Sequence, residues 1–304
     1  MSISRVKLSI EGPEFSRLVY GAWRLGDRPD ETSNAKVKEK IDACLEAGMT
    51  TFDHADIYGD YRCEEIFGKV LKEDPSLRNK MEIVSKCGIK LISPGRPEHR
   101  VKHYDTSSNH IISSVETSLK NLGTDHLDLL LIHRPDPLMD YQDTAKGLEQ
   151  VVKSGKVKYV GVSNFTAWQF EQLSKVSTVP LVTNQVELSV LNMNALHDGS
   201  IGLCQVNEVK PMAWSPLGGG RLFTGSDEQA KRVQTVLGRI ADEQSSTIDS
   251  VALAWILRHP AQILPIVGTN NVERIRKAGA SEKISLSTEQ WHEIWEASAG
   301  TEVP

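Results

Sequence analysis

The chain has 304 residues, 39% hydrophobic and 25% charged, a balance that argues against a disordered, fibrous or coiled-coil protein. Its formal net charge of −5 leaves no basic excess for a polyanion, which argues against nucleic acid as the main partner. At about 150 residues per domain the length suggests two domains, but one α/β barrel routinely fills about 250 residues.

Met1 to Glu11 lacks the apolar core of a signal peptide. No run reaches the ~18 apolar residues that cross a membrane. Cys44, Cys63, Cys87 and Cys204 are scattered, without a C-x-x-C pair, and too sparse for a disulfide scaffold. A cytoplasmic protein with reduced, buried thiols is expected.

The first dozen residues are expected to form a hairpin across the bottom of the fold. The first β-rich run is Leu18 to Trp23. Val37, Ile41, Cys44 and Leu45 then recur at helical spacing, and Gly48 suits the helix C-cap. Met49 to Asp53 is a strand; Cys63, Ile66, Phe67, Val70 and Leu71 mark a helix; Met81 to Lys86 is a strand; Ile112, Val115, Leu119 and Leu122 mark a helix. Leu127 to His133 is almost wholly apolar, as a strand covered on both faces requires. Ala145 to Val152 is a helix closed by Gly155, and Val157–Val162, Leu181–Gln185, Val209–Trp214 and Ile263–Val267 are strands. Helices are expected near 166–176, 194–206, 228–258 and 271–280, with an extra outer helix over Ser287–Ser298. Its Trp291 and Trp295 are expected to pack on the barrel.

Eight strands, each followed by a helix, point to a closed (β/α)8 TIM barrel. No linker or low-complexity stretch divides residues 1–304, so a single domain is expected.

Chemistry in such a barrel gathers at the C-terminal strand ends. There the sequence places Asp53, with Tyr58 and Gly59 just after it, then Lys86 and His133. Any one has a plain structural reading: a helix-capping Asp, a satisfied loop His. Together they make a tunable acid. Tyrosine has an ordinary pKa near 10, and an adjacent ammonium lowers it. Lys86 is expected to do so, held by Asp53, while His133 orients a carbonyl oxygen. No Ser or Cys has an obvious base partner, so acyl transfer is disfavoured.

These residues, with Ser85-Lys86, Ile132-His133-Arg134-Pro135, Gly161-Val162-Ser163-Asn164-Phe165, Asn184-Gln185 and Trp214-Ser215-Pro216-Leu217, resemble the aldo-keto reductase superfamily, with the nearest likeness to its bacterial oxidoreductases. The likeness runs from Gly21 to Ala278. It implies a barrel that binds NADPH without a Rossmann motif, and no G-x-G-x-x-G follows a strand here. It implies a catalytic tetrad of Asp53, Tyr58, Lys86 and His133, with Tyr58 as proton donor to a small carbonyl substrate. It implies that Ser163, Asn164 and Gln185 hold the nicotinamide carboxamide and that Trp214 stacks on the ring. Gly21, Ala22 and Trp23 are further cofactor candidates. Ser215, Pro216, Leu217, Gly218, Gly219, Gly220 and Arg221 resemble the pyrophosphate loop, whose glycines expose backbone amides. Gly268, Thr269, Asn270 and Arg274 resemble the adenosine-phosphate segment at a helix start, where a 2′-phosphate fits. Two positions depart from the pattern: Gly268 stands where many members have Lys, and Lys277-Ala278 where many have Glu-Asn.

His99 and His103 have metal-pair spacing, but no third ligand completes the set and the resemblance implies no metal. The segment from Ile92 to His110 is expected as a loop near the substrate mouth. Substrate loops are expected at 24–32, 135–140 and 222–228. Two other functions stay open: a cofactor-sensing regulatory subunit of the same fold, and an NAD-linked alcohol dehydrogenase.

Overall fold

In the computed structural model, which describes residues 2–303, the expected eight strands close on themselves. They are β3 (Val19–Gly21), β4 (Thr51–Asp53), β5 (Glu82–Cys87), β8 (Leu127–Ile132), β9 (Val157–Ser163), β10 (Leu181–Glu187), β11 (Met212–Trp214) and β12 (Leu264–Val267). Each pairs in parallel with its neighbour, and β12 returns to β3 through Ile266↔Val19 and Val267↔Tyr20. The intervening helices pack outside, the TIM-barrel architecture expected from the strand–helix alternation.

The strand side chains alternate between two cores. Val19, Val84, Leu129, Leu131, Val182, Met212, Leu264 and Ile266 fill the barrel interior. Leu130 and Ile132 of β8 face the helices instead. This two-sided burial is why Leu127–Ile132 reads as an unbroken apolar run. The first residues form the expected hairpin, β1 (Arg5–Lys7) with β2 (Glu14–Ser16). Leu8 and Phe15 from it join the interior cluster and plug one end.

Helix ends follow local chemistry. Thr166 and Ser287 each form a capping box, with Gln169 and Gln290 respectively. The outer helix Thr288–Ala299 docks through Trp291, which stacks on Trp255 with centroids 4.8 Å apart. Each indole N–H donates to the other's backbone carbonyl at 3.0 Å. Trp295 packs against the same cluster.

Five expected elements differ. The first strand stops at Gly21, and Ala22–Gly26 turn into a short 3-10 helix. The 228–258 segment is two helices, Glu228–Glu243 and Ile248–Leu257, parted where Ser245 takes a φ of 49°. Gln244 to Thr247 supplies two serines and a threonine, weak helix formers that compete for backbone hydrogen bonds. The 194–206 segment likewise divides into Asn194–His197 and Ser200–Val206 at Gly199, which is left-handed at φ 86°. The 271–280 helix ends at Lys277 and continues as a 3-10 turn, Ala278–Lys283. The 92–110 segment holds more than loop: β6 (Ile89–Lys90) and β7 (His103–Tyr104) form a small hairpin, and a helix starts at Ser108.

Candidate active site

The barrel register brings Asp53 and Lys86 together, since β4 and β5 align Asp53 with Val84 and Lys86 lies two residues further on the same face. Tyr58 arrives differently. After Tyr58 the chain makes a tight turn with Gly59, Asp60 and Tyr61 all at positive φ. Asp60 and Tyr61 pay strain there that a glycine does not.

Lys86 is buried, and its ammonium donates three hydrogen bonds: to Asp53 Oδ2 at 2.7 Å, His54 O at 2.8 Å and Tyr58 Oη at 2.9 Å. All three N–H groups are used, which fixes the cation. Burial pulls the Lys86 pKa down, but Asp53 and Tyr58 outweigh it and raise it. The expectation for Tyr58 needs correction. Burial raises its pKa, Lys86 opposes this, and the net direction is up. Tyr58 therefore keeps its proton at neutral pH, and the ammonium is poised to stabilise the phenolate as the proton leaves.

His133 follows β8, and its ring stands edge-on to Tyr58 with centroids 6.0 Å apart. No protein group among the described residues hydrogen-bonds the ring, and Nδ1 is buried and unpartnered. Burial, then Lys86, Arg134 and Lys102, push its pKa well below the usual imidazole range. A neutral imidazole can hydrogen-bond a carbonyl oxygen but is a poor proton donor.

One network supports this group. Gln185 Nε2 donates to Asp53 Oδ1 at 2.8 Å. Ser163 Oγ donates to the Gln185 carbonyl at 2.8 Å and accepts from Asn164 Nδ2 at 2.8 Å. Asn164, left-handed at φ 61°, also donates to the His133 carbonyl and accepts from Trp214 Nε1 at 2.9 Å. Ser163, Asn164, Gln185 and Trp214 thus share one hydrogen-bonded network that reaches Asp53 and the His133 backbone.

The glycine loop lies beside them. Pro216 is buried; Ser215, Leu217 and Gly218 are half-buried. Gly218, Gly219 and Gly220 have φ of 59°, 65° and 103°, conformations that glycine adopts freely. A Cβ on Gly219, Gly220 or Gly268 would meet nothing within 4 Å. Gly21 and Ala22 are buried, whereas Trp23 is 56% exposed at the rim.

Two expected ligand donors are engaged within the protein. Arg221 pairs with Asp227 at 2.7 Å and bonds Gln229. Asn270 accepts from Tyr20 Oη at 3.1 Å and donates to the Arg24 carbonyl at 2.7 Å. Thr269 Oγ1 accepts from Asn271 N, and the Arg274 guanidinium lies 5.7 Å over the Phe223 ring. Arg24, absent from the sequence-based set, donates to the Gly219 carbonyl at 2.6 Å and ties three loops together. The sequence reading also missed two buried acids behind Lys86. Glu64 accepts from Ser85 Oγ at 2.6 Å, and Asp56 is pushed up to about 8 by burial and by Glu64. The signal for Glu64 was its place on the buried face of the helix Cys63–Glu73.

The Aldo/keto reductase family model matches residues 17–299. The chain is 50% identical over 301 residues to a 6-dehydroglucose reductase of Agrobacterium fabrum, covering 99% of this chain and 100% of that one. It is 47% identical over 303 residues to oxidoreductase YdhF of Escherichia coli, with 99% and 100% covered. Among solved structures, the thermostable aldo-keto reductase Tm1743, in complex with the inhibitor epalrestat, superposes with a TM-score of 0.82 at 30% identity. That match covers 97% of this chain and 100% of the other.

Proposed function

The chain belongs to the aldo/keto reductase family, and from that premise we propose that it reduces an aldehyde or ketone to an alcohol with NADPH, Tyr58 giving the proton. The observation that carries this reading is the Lys86 ammonium held at 2.7–2.9 Å by Asp53, His54 O and Tyr58.

The residues present fit a dinucleotide. Gly219, Gly220 and Gly268 leave open space over their backbones, where a phosphate can approach the amides. Gln185 gives one amide N–H to Asp53, which leaves its second N–H to donate and its Oε1 to accept from a carboxamide. Asn164 uses both N–H donors within the protein and accepts from Trp214, which leaves one acceptor site on its Oδ1 for a carboxamide. Thr269 and Arg274 favour a cofactor with a 2′-phosphate. Arg24 and Gly219 cross the groove as a strap.

The reduced nicotinamide supplies a hydride to the carbonyl carbon. His133 and Tyr58 hydrogen-bond the carbonyl oxygen, so charge developing there meets preorganised donors. Tyr58 passes its proton to that oxygen, and Lys86 stabilises the phenolate left behind. Asp53 keeps the ammonium in place and offsets its charge. Reprotonation of Tyr58 restores the acid.

The test is steady-state NADPH oxidation across aldehydes, ketones and quinones, with NADH run in parallel. A 6-dehydroglucose, the substrate for which the Agrobacterium fabrum relative is named, belongs in the panel. Tyr58→Phe is expected to lose about 10²–10⁴-fold in kcat while keeping cofactor affinity. Wild-type turnover by that variant would refute the assignment. Tight NADPH binding without turnover on any carbonyl would favour a cofactor-sensing role instead.

A further inference from the structure

Some arginines have a counter-charge: Arg78 pairs with Asp128 at 2.7 Å, Arg221 with Asp227 at 2.7 Å and Arg276 with Glu46 at 3.2 Å. Arg134 does not. It follows His133 at the end of β8, half-buried, with its guanidinium 5.6 Å over the Trp214 ring. Among the described residues no carboxylate lies within ion-pairing distance and no group accepts a hydrogen bond from it. Lys102 is a second unpaired cation, exposed beside His103, where β7 pairs with β6 at the barrel mouth.

The charges that bear on the His133 ring are all cationic: Lys86, Arg134 and Lys102. Asp53 neutralises the first. Arg134, next to His133 in the chain, stands uncompensated beside the place where a substrate carbonyl meets His133 and Tyr58, and Lys102 adds positive charge from the exposed edge of the β6–β7 hairpin. A half-buried guanidinium has lost part of its hydration, and an anion supplies the missing partner with bidentate geometry. Stacking on Trp214 holds that planar fork without satisfying its donors.

We infer that Arg134, assisted by Lys102, forms a subsite for a carboxylate on the carbonyl substrate, so that aldehyde or keto acids are preferred over neutral carbonyls. This rests on the carbonyl-reductase reading and adds to it the charge of the substrate.

The experiment compares kcat/KM at saturating NADPH for succinic semialdehyde, butanal and glyceraldehyde. These three are anionic, neutral apolar and neutral hydroxylated. Wild type is expected to favour succinic semialdehyde by about tenfold or more, with the preference shrinking as ionic strength rises. Arg134→Met is expected to bring the ratio close to one, Lys102→Met to reduce it in part, and Arg134→Lys to restore some of it. Equal wild-type rates on all three overturn the subsite. So does glyceraldehyde matching succinic semialdehyde, because the cations then read hydroxyls rather than charge. An equal loss by Arg134→Met on every substrate shows mere packing on Trp214 and overturns it too. If wild type reduces none of the three nor any other carbonyl, the reductase reading itself falls, a result distinct from reduction without charge preference.

Discussion

Gln185 Nε2 reaches across the barrel to Asp53 Oδ1 at 2.8 Å, while Lys86 takes Asp53 Oδ2 at 2.7 Å. Both carboxylate oxygens are therefore held, one by an amide from β10 and one by the ammonium from β5. Gln185→Leu strips Oδ1 of its donor inside a buried site. It is expected to lower kcat about tenfold and stability by about 1–3 kcal/mol, the cost of an unsatisfied buried acceptor. Thermal melts and kinetics on one preparation check this. An unchanged melting temperature with only the cofactor KM raised would show that Gln185 serves the cofactor and not Asp53.

The direction of the Tyr58 shift sets a pH profile. Burial lifts its pKa above 10.0, with Lys86 opposing, so the acid form persists through the neutral range. Carbonyl reduction needs that proton and is expected to stay level from about pH 6 to 9, falling only on the alkaline side. Alcohol oxidation needs the phenolate and is expected to rise as pH rises. His133 titrates well below 6.5 and adds no limb near neutrality. A loss of reductase kcat centred near pH 7 would assign the proton to another group.

His54 supplies a stability test separate from catalysis. Its ring is fully buried, 4.6 Å from Phe67, with both nitrogens unpartnered. Burial, then Lys86, push its pKa down to about 3. The unfolded chain takes up the proton near 6.5, whereas the fold refuses it until about 3. Stability is thus whole above 6.5 and declines toward 3, by up to about 1.4 kcal/mol per pH unit. His54→Phe keeps the ring volume and removes this sensitivity. The gap between urea midpoints at pH 7 and pH 5 should narrow in the variant, with His133 and His110 keeping a remainder, and an unaltered gap would show that His54 is not an acid-sensitive group. Asp56 works on the other flank. Its pKa rises from 3.8 to about 8, so its stabilising share is present at low pH and is lost as pH climbs through 8.

Where burial and strand order decide a position, the amino-acid pattern reports it. The apolar run Leu127–Ile132 needs cover on both faces, and Asp53, Lys86 and His133 stand at the ends of such runs. The helix break at Gln244–Thr247 was signalled by its serines but masked by strong apolar periodicity on either side. Side-chain partners are another matter. Gln185 and Asp53 are 132 residues apart, and Tyr20 and Asn270 are 250 apart. Barrel register and rotamers bring them together, and no local spacing encodes either. For the same reason the sequence singles out Asn270 and Arg221 as ligand donors yet does not show that Tyr20, Arg24 and Asp227 have engaged them.

Gly268 separates a structural from a ligand-binding role. It follows β12, its φ lies outside the left-handed region, and a Cβ there would meet nothing within 4 Å. Alanine therefore costs the ligand-free fold nothing and stiffens the unfolded chain, a gain of about 0.4–1 kcal/mol. Many members of the resembled family carry Lys here, so a side chain at this position is compatible with a bound nucleotide, and the open space is where its cation would reach a phosphate. Gly268→Ala is expected to leave the melting temperature level or slightly higher with NADPH binding near native, whereas Gly268→Lys is expected to tighten NADPH binding about tenfold. Gly220→Ala is the contrast, because its φ of 103° strains any side chain whether or not a ligand is bound. Titrating NADPH against these variants, alongside their melts, distinguishes the two effects. An unchanged NADPH affinity in Gly268→Lys would mean that no cofactor phosphate lies beside Gly268, and the role proposed for Thr269 and Arg274 would fall with it.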